Sequence, residues 1–313
     1  MMSDLKTFGW YLEGTRLKVK TCLEGHLNAQ KLILQEIDEF AADRIIDALI
    51  TFSVRGKMFR AAALGLGFET AGHDYQAELP VLVQAGVELI QTGLLIQDDI
   101  VDRDELRRGV PTIHHMFAKE SLDWKEEISA ESADDIGRAM AMVTSDLAIV
   151  LAYDLFLEGG FSPGTIIKAT SQFNRNLIKT ALGQAMDVSL HNPLSNGDRP
   201  VLKASMYKTA YYTVVGPMQL GATLAGASDE LIDRMEVFGR NIGLAYQLRD
   251  DILDIFGDDD DITRRQFSDV SGNKPTFLIE NTVSMTSGTE HDVFLKSLGR
   301  NNLSVAEMNT VRG

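Results

Sequence analysis

The sequence predicts an all-α protein, a helical bundle in a single domain, on three observations. Apolar residues recur at helical spacing over long segments, alternating β-branched runs are nearly absent, and only seven prolines occur in 313 residues. Helices are expected near 4–24, 30–54, 57–70, 80–103, 132–158, 164–190, 199–225, 229–256, 274–285, 290–299 and 305–311. Several starts carry their own chemistry. Pro80 and Pro163 suit the first helical position, where the N–H that proline lacks would have had no partner. Ser228, with Asp229 and Glu230 behind it, has the features of an N-cap, and Ser304-Val-Ala-Glu307 is a capping box. Gly86 and Gly93 lie seven residues apart inside the helix at 80–103. Each costs about 1 kcal/mol relative to alanine there, which a close helix contact or an open internal channel would explain. No linker interrupts the chain, and the polar stretches 103–111 and 257–275 read as loops at one mouth of the bundle.

Composition excludes several classes of function. A hydrophobic content of 44% supports a sizeable core, while a net charge of -15 and 30 basic against 45 acidic residues argue against a nucleic-acid binder. The single cysteine, Cys22, cannot form an internal disulfide, so a reducing, cytoplasmic setting is expected. No transmembrane segment is expected either: the most apolar stretch, 139–157, is interrupted by Asp146 and Asp154. The N-terminus lacks the basic and then apolar order of a signal peptide, so any membrane contact would be peripheral. The chain stops at Val311-Arg312-Gly313 within what reads as a continuing helix, which suggests that a C-terminal portion is missing.

Two acidic clusters share one spacing, Asp98-Asp99-Ile-Val-Asp102 and Asp250-Asp251-Ile-Leu-Asp254. On a helix the first and last carboxylates of each stand one turn apart on one face, and like charges so placed repel by roughly 0.2–0.5 kcal/mol per pair. The apolar flanks Leu94-Leu95-Ile96 and Ile252-Leu253, Ile255-Phe256 lower the local dielectric and enlarge that repulsion. A cation therefore belongs there. Oxygen ligands without His or Cys suit a hard ion, and Mg2+ prefers one or two carboxylates plus substrate phosphates to a complete protein cage. An isolated acidic turn is most often solvated surface; two matched copies in apolar flanks are not.

Basic residues stand out against the acidic background. Arg107-Arg108-Gly109 follows the first cluster and Gly56-Lys57-Met-Phe-Arg60 precedes it, and guanidinium forks and ammonium groups match phosphate oxygens. Two acidic clusters and two basic groups imply two anionic ligands, one held through metal and one directly. Lys208-Thr209 puts a cation and a hydroxyl beside an apolar space, and Gln247 stands one turn before Asp251. His114-His115 has no partner at zinc spacing and is expected to be structural or exposed.

These residues resemble the trans-isoprenyl diphosphate synthases, or polyprenyl synthetases, from about Phe52 to Lys274. Gly56-Lys57-Met-Phe-Arg60 is similar to the family's opening motif, Gln97 to Asp102 with Leu106-Arg107-Arg108-Gly109 to its first aspartate-rich motif, and Tyr246 to Asp254 to its second. Gly183-Gln184-Ala-Met-Asp187, Lys208-Thr209-Ala210 and Asn273-Lys274 follow in the family's order. The resemblance implies an isoprenoid-synthase bundle with a deep central cavity and metal and diphosphate sites at its mouth. It implies Mg2+, three ions per active site with Mn2+ as a substitute, held by Asp98, Asp102, Asp250 and Asp254. Asp98, Asp99, Asp102, Lys208, Thr209, Gln247 and Asp250 would be catalytic, and Arg107, Lys208, Gln247, Arg265 and Lys274 would serve the allylic diphosphate. Gly56, Lys57, Arg60, Gln91 and Arg108 would hold isopentenyl diphosphate. Ile90, Gly93 and Leu94 would form the wall that limits chain length, where the absence of an aromatic implies a product of farnesyl length or longer, geranylgeranyl diphosphate first. A homodimer is the implied assembly. The sequence departs from the family at Gln91, where His is usual, at Ala61, where Pro is common, and at Arg265, where Lys is frequent. The rival readings are a class I terpene cyclase, a non-catalytic subunit of a heteromeric synthase and a metal-buffering scaffold. Asp250-Asp251-Asp254 speaks against the first, and the complete set of aspartates and arginines against the second.

Overall fold

A computed structural model describes residues 8–72, 80–124, 128–190, 201–257, 267–300 and 302–312. In chain order the elements are α1 Phe8–Gln35, α2 Glu39–Ser53, α3 Phe59–Thr70, α4 Val81–Asp102, β1 Leu106–Arg107, β2 Val110–Pro111, α5 Ile113–Ser121, α6 Ala130–Leu157 and α7 Pro163–Leu190. There follow α8 Val201–Ser205, a π-helical segment Met206–Val215, α9 Gly216–Leu224, α10 Asp229–Phe256, α11 Ser268–Ser271, α12 Phe277–Met285, α13 Gly288–Ser297 and α14 Val305–Arg312. The all-α expectation holds, with one two-residue hairpin as the exception among the described residues. The chain gathers into two compact units, Met1–Ser171 with Pro217–Ile232, and Gln172–Gly216 with Asp233–Gly313.

In the first unit α4 is the central helix, packed by α1, α3 and α6. Its buried Val83, Val87, Leu89, Ile90 and Ile96 each contribute roughly 1.5–3 kcal/mol of apolar burial. Gly86 and Gly93 face α6. A Cβ on Gly86 would stand 2.7 Å from the Ala152 carbonyl oxygen, and one on Gly93 would stand 2.9 Å from Ile149 Cγ1 and 3.1 Å from the Ser145 carbonyl oxygen. Of the two explanations for these glycines, the close helix contact is the one the structure provides. By length and composition α6 is apolar enough to cross a membrane, but it carries Asp146 and Asp154 and packs on both α4 and α5, as a bundle helix does.

The sequence places a break near 24–30, yet α1 runs through it to Gln35. Gly25 costs about 1 kcal/mol in a helix, less than the fully buried Leu23 and Leu27 on either side contribute. The turn comes instead at Asp38, whose Oδ1 accepts the Ala41 N–H at 2.8 Å and caps α2. A nine-residue helix, α5, was not expected; its buried Ile113 and Phe117, one turn apart, seat it on α6.

In the second unit, Ile255, Phe267, Val270, Ile279, Phe294 and Leu303 form an apolar cluster behind the end of α10. Arg312 Nε donates to the Ile255 carbonyl at 2.7 Å, satisfying one of the acceptors that a helix C-terminus leaves open. The capping box forms as expected: Ser304 N–H donates to Glu307 Oε2 at 2.8 Å and Glu307 N–H to Ser304 Oγ at 3.3 Å. The Ser304 N–H, the Ser304 hydroxyl and Arg300, all donating to it, draw the Glu307 carboxyl down to about 2. The helix expected at 199–225 is α-helical only at its ends. Pro217 returns no N–H to the helix, and Gly216 N–H reaches back to the Tyr211 carbonyl in the wider π register.

Candidate active site

Each acidic cluster occupies the last turns of its helix, α4 or α10, where the unpaired carbonyls add their partial negative charge to that of the carboxylates. In the first unit α4 ends with Arg103 in the left-handed region at φ 56°. The Asp99 carbonyl accepts the N–H groups of both Arg103 and Asp104. The chain then turns through the hairpin, pairing Leu106 with Pro111 and Arg107 with Val110. Its two corner residues, Arg108 at φ 52° and Gly109 at φ 75°, have the paired positive φ of the tight turn that matches strand twist. A non-glycine residue in that region is strained, and the strain fixes where Arg108 points.

The hairpin sends its adjacent arginines to different partners. Arg107 Nε is hydrogen-bonded to Asp99 Oδ1, and Arg107 Nη2 lies 3.2 Å from Asp104 and 3.7 Å from Asp98. Asp99 is 1% exposed, so it serves as the anchor of Arg107 while Asp98 and Asp102 remain partly open. Burial pushes the Asp99 carboxyl up to about 7, with Arg107 pulling the other way. Arg107 is itself raised: burial pulls it down, and Asp99 and Asp98 outweigh that. Both groups shift upward, Asp99 toward its neutral form and Arg107 further into its charged one: a guanidinium keeps its proton while a carboxylate can take one, so the penalty of burying the pair falls on Asp99.

Arg108 goes to the other basic group. A Cβ on Gly56 would stand 3.2 Å from Arg108 Nη1, so the glycine keeps open the place the guanidinium takes. Lys57 is exposed and Arg60 half-buried beside the start of α3, and Gln91 is buried with no hydrogen-bond partner for its Oε1 among the described residues. Leu94, Asp98 and Asp102 follow Ile90 along one i+4 ridge of α4. Gly93, the third residue expected in the chain-length wall, lies off that ridge, against α6.

In the second unit the Gly183-Gln184-Ala-Met-Asp187 motif supports Lys208. Gly183 lies against the Tyr207–Lys208 backbone, where any Cβ would collide, and Asp187 Oδ2 accepts from Lys208 Nζ at 2.6 Å. Gly243 of α10 meets Ala210 in the same way. That crossing brings Thr209 Oγ1 to donate to Gln247 Oε1 at 2.7 Å, while Gln247 Nε2 donates to Asp251 Oδ1 at 2.8 Å. Asp251, 4% exposed, thus fixes which way the Gln247 amide faces.

Asp254 Oδ1 accepts from Ser268 N–H at 3.1 Å and Ser268 Oγ at 2.7 Å, its Oδ2 from Asp269 N–H at 3.0 Å, and its carbonyl from Phe267 N–H at 2.9 Å. Both carboxylate oxygens are engaged in holding the segment that leads to Lys274, so in this structure Asp254 is a clasp. Charge-assisted bonds of this kind contribute about 1.5–3 kcal/mol each. Asp254→Ala is expected to lose at least about 2 kcal/mol in urea denaturation, with Asp254→Asn intermediate and Mg2+ affinity unchanged. Arg265 lies outside the described residues. His114 is buried and His115 exposed, as expected of structural histidines.

Two residues with evident roles were not singled out in the sequence: Pro217 in the expected helix 199–225, and Glu88. The last was detectable as the only charged residue between Val81 and Gln97.

A helical fold with an acidic turn at the end of each of two long helices, and basic side chains set by a hairpin beside the first, defines a class of prenyl-transferring enzymes. The chain matches the polyprenyl synthetase family over residues 43–312 and belongs to it. It is 30% identical over 259 residues to the geranylgeranyl diphosphate synthase of Sulfolobus acidocaldarius, covering 82% of this chain and 72% of that one. It is 32% identical over 231 residues to the (2E,6E)-farnesyl diphosphate synthase of Mycobacterium tuberculosis, covering 73% of this chain and 57% of that one. Among solved structures, a geranylgeranyl pyrophosphate synthase of Corynebacterium glutamicum, complexed with isoprenyl diphosphate and magnesium, superposes with a TM-score of 0.85 at 25% identity. That match covers 97% of this chain and 85% of the other. The chain is a prenyltransferase, joining isopentenyl diphosphate to an allylic diphosphate.

Proposed function

We propose that this prenyltransferase makes a trans product of farnesyl length or longer, geranylgeranyl diphosphate being the leading assignment, with Arg107 and Arg108 serving different diphosphates. The observation that carries this division is the hairpin, which commits Arg107 to the acidic turn and Arg108 to Gly56. Arg107, held by Asp99, would serve the allylic diphosphate, as would Lys208 and Lys274. Arg108, Lys57, Arg60 and Gln91 hold isopentenyl diphosphate. As the allylic carbon–oxygen bond breaks, these fixed cations meet the growing negative charge and stabilise it more than the ground state. The isopentenyl double bond then forms the new carbon–carbon bond, and the departing diphosphate takes the proton released.

The donor set fits Mg2+: partly exposed carboxylates at helix C-termini, with no thiolate or imidazole among them. Among the described residues no group of three or more His, Cys, Asp or Glu is gathered into a cage, so substrate oxygens and water would complete the shell. Asp98, Asp102 and Asp250 would hold the ions, three per site as the family resemblance implies. Bound there, Mg2+ supplies the charge that makes diphosphate a leaving group. We also propose a homodimer: Met142, Val143 and Val150 of α6 are more than half exposed and apolar. Light scattering giving twice the chain mass of 34.5 kDa would support that assembly, and a monomer would remove it.

The test is elongation. Purified protein with Mg2+, isopentenyl diphosphate and dimethylallyl, geranyl or farnesyl diphosphate should give a longer prenyl alcohol after dephosphorylation. Asp98→Ala should lower the rate by at least about a hundredfold. Binding of both diphosphates without elongation from any starter would favour a non-catalytic subunit.

A further inference from the structure

The start of α3 has an irregular cap that another helix completes. Met58, the residue before α3, is in the left-handed region at φ 53° and provides no side-chain cap. The first N–H groups of the helix would then lie in the interior without partners, which is unfavourable. Glu88 of α4 fills that role. Its Oε1 accepts the Ala61 N–H at 2.9 Å, and one turn earlier on the same helix Gln84 Nε2 donates to the Ala61 carbonyl at 2.7 Å. Two side chains one turn apart on α4 therefore hold the N–H and the carbonyl of one α3 residue, in successive peptide units. Glu88 is 5% exposed, a carboxylate with no route to bulk water to replace those partners.

The residues around Glu88 are those assigned to isopentenyl diphosphate. Burial raises its carboxyl, opposed by the charge of Arg60, the Ala61 N–H, Arg108 and the Arg60 N–H. Arg60 is the second residue of α3 and Arg108 lies against Gly56, so the carboxylate stands behind the cations on the side away from solvent. Gln91, three residues on along α4, is on the same side of that helix.

We propose that Glu88 is a positioning residue for the isopentenyl-diphosphate half-site, holding the α3 start and the guanidinium groups of Arg60 and Arg108 in the geometry that receives the diphosphate. The proposal rests on the prenyl-transfer reading given above and adds a residue that does not touch substrate. Two effects of removing its charge oppose each other. A neutral side chain leaves more net positive charge near the phosphate, which by itself tightens binding. Loss of the fixed geometry loosens it, because forked hydrogen bonds depend on angle as well as distance.

Glu88→Gln in the full chain separates them. The Michaelis constant for isopentenyl diphosphate is expected to rise about tenfold, equivalent to about 1.4 kcal/mol, with the constant for the allylic diphosphate and kcat nearly unchanged. Glu88→Asp keeps the charge but withdraws it from Ala61, and should show the same split; it also serves if Glu88→Gln does not fold. Calorimetric titration of isopentenyl diphosphate alone into each protein reads the effect without turnover. Wild-type binding without elongation would overturn the enzymatic reading and leave the Glu88 comparison intact. Unchanged or tighter isopentenyl diphosphate binding in both variants would overturn the proposal, as would a fall in kcat alone.

Discussion

Arg107→Ala is expected to abolish elongation and to lower the unfolding free energy by about 3–5 kcal/mol, the range for removing one partner of a buried ion pair. An exposed pair would give about 0–1 kcal/mol, so the prediction turns on burial. Asp99 is 1% exposed, its Oδ1 is bonded to Arg107, and its Oδ2 has no hydrogen-bond partner among the described residues. Without the guanidinium, the carboxylate must stay charged in a dry site or take a proton. Either course is unfavourable near neutral pH. Asp99→Asn in the Arg107→Ala background removes the stranded charge and should recover most of the stability, measured by urea denaturation in EDTA. It should recover none of the activity, because the cation proposed to serve the allylic diphosphate is still missing. A double variant as unstable as Arg107→Ala would show that the pair is not the source of the loss.

This arrangement also shows what a sequence can and cannot carry. The spacing of each acidic cluster identified a helical turn, and both lie in the last turns of their helices, α4 and α10. Like-charge repulsion on a helix is a local quantity, and local quantities are legible. The division of labour inside the clusters was not. Asp99 and Asp254 have the same residue type and flanks as Asp98 and Asp250, yet Asp99 anchors Arg107 and Asp254 clasps Ser268 and Asp269. Those partners are supplied by chain turns whose geometry depends on Arg108 and Phe267 adopting positive φ, which no residue-type preference predicts for arginine or phenylalanine. The break misplaced at 24–30 has the same origin. A glycine's local penalty was visible, while the larger contribution of Leu23 and Leu27 depended on packing.

Gly93→Phe is expected to disrupt the fold and not to shorten the product. In the resemblance-based reading Gly93 and Leu94 were equivalent, both about a turn before the first aspartate. Their surroundings separate them. A Cβ at Gly93 already stands 2.9 Å from Ile149 Cγ1 and 3.1 Å from the Ser145 carbonyl oxygen, and the second of these is backbone. The helices cannot easily part there, because Ser145 Oγ donates to the Gly93 carbonyl at 2.9 Å and accepts from Gln97 Nε2 at 2.9 Å. Overpacking a well-filled site costs about 1–3 kcal/mol for a few extra methylenes, and a whole aromatic ring against fixed backbone exceeds that. Leu94 is only partly buried and shares its ridge with Asp98, one turn along. An aromatic ring on that ridge extends from the same face that presents Asp98, the carboxylate proposed to hold metal, where a growing chain would begin. Leu94→Phe should therefore keep its thermal midpoint within about 4 °C, a change of 1 kcal/mol or less, and shift the product toward shorter prenyl alcohols. If Gly93→Phe folds with wild-type stability and shortens the product while Leu94→Phe leaves it unchanged, the α6 contact does not govern that position and the wall lies on the other ridge.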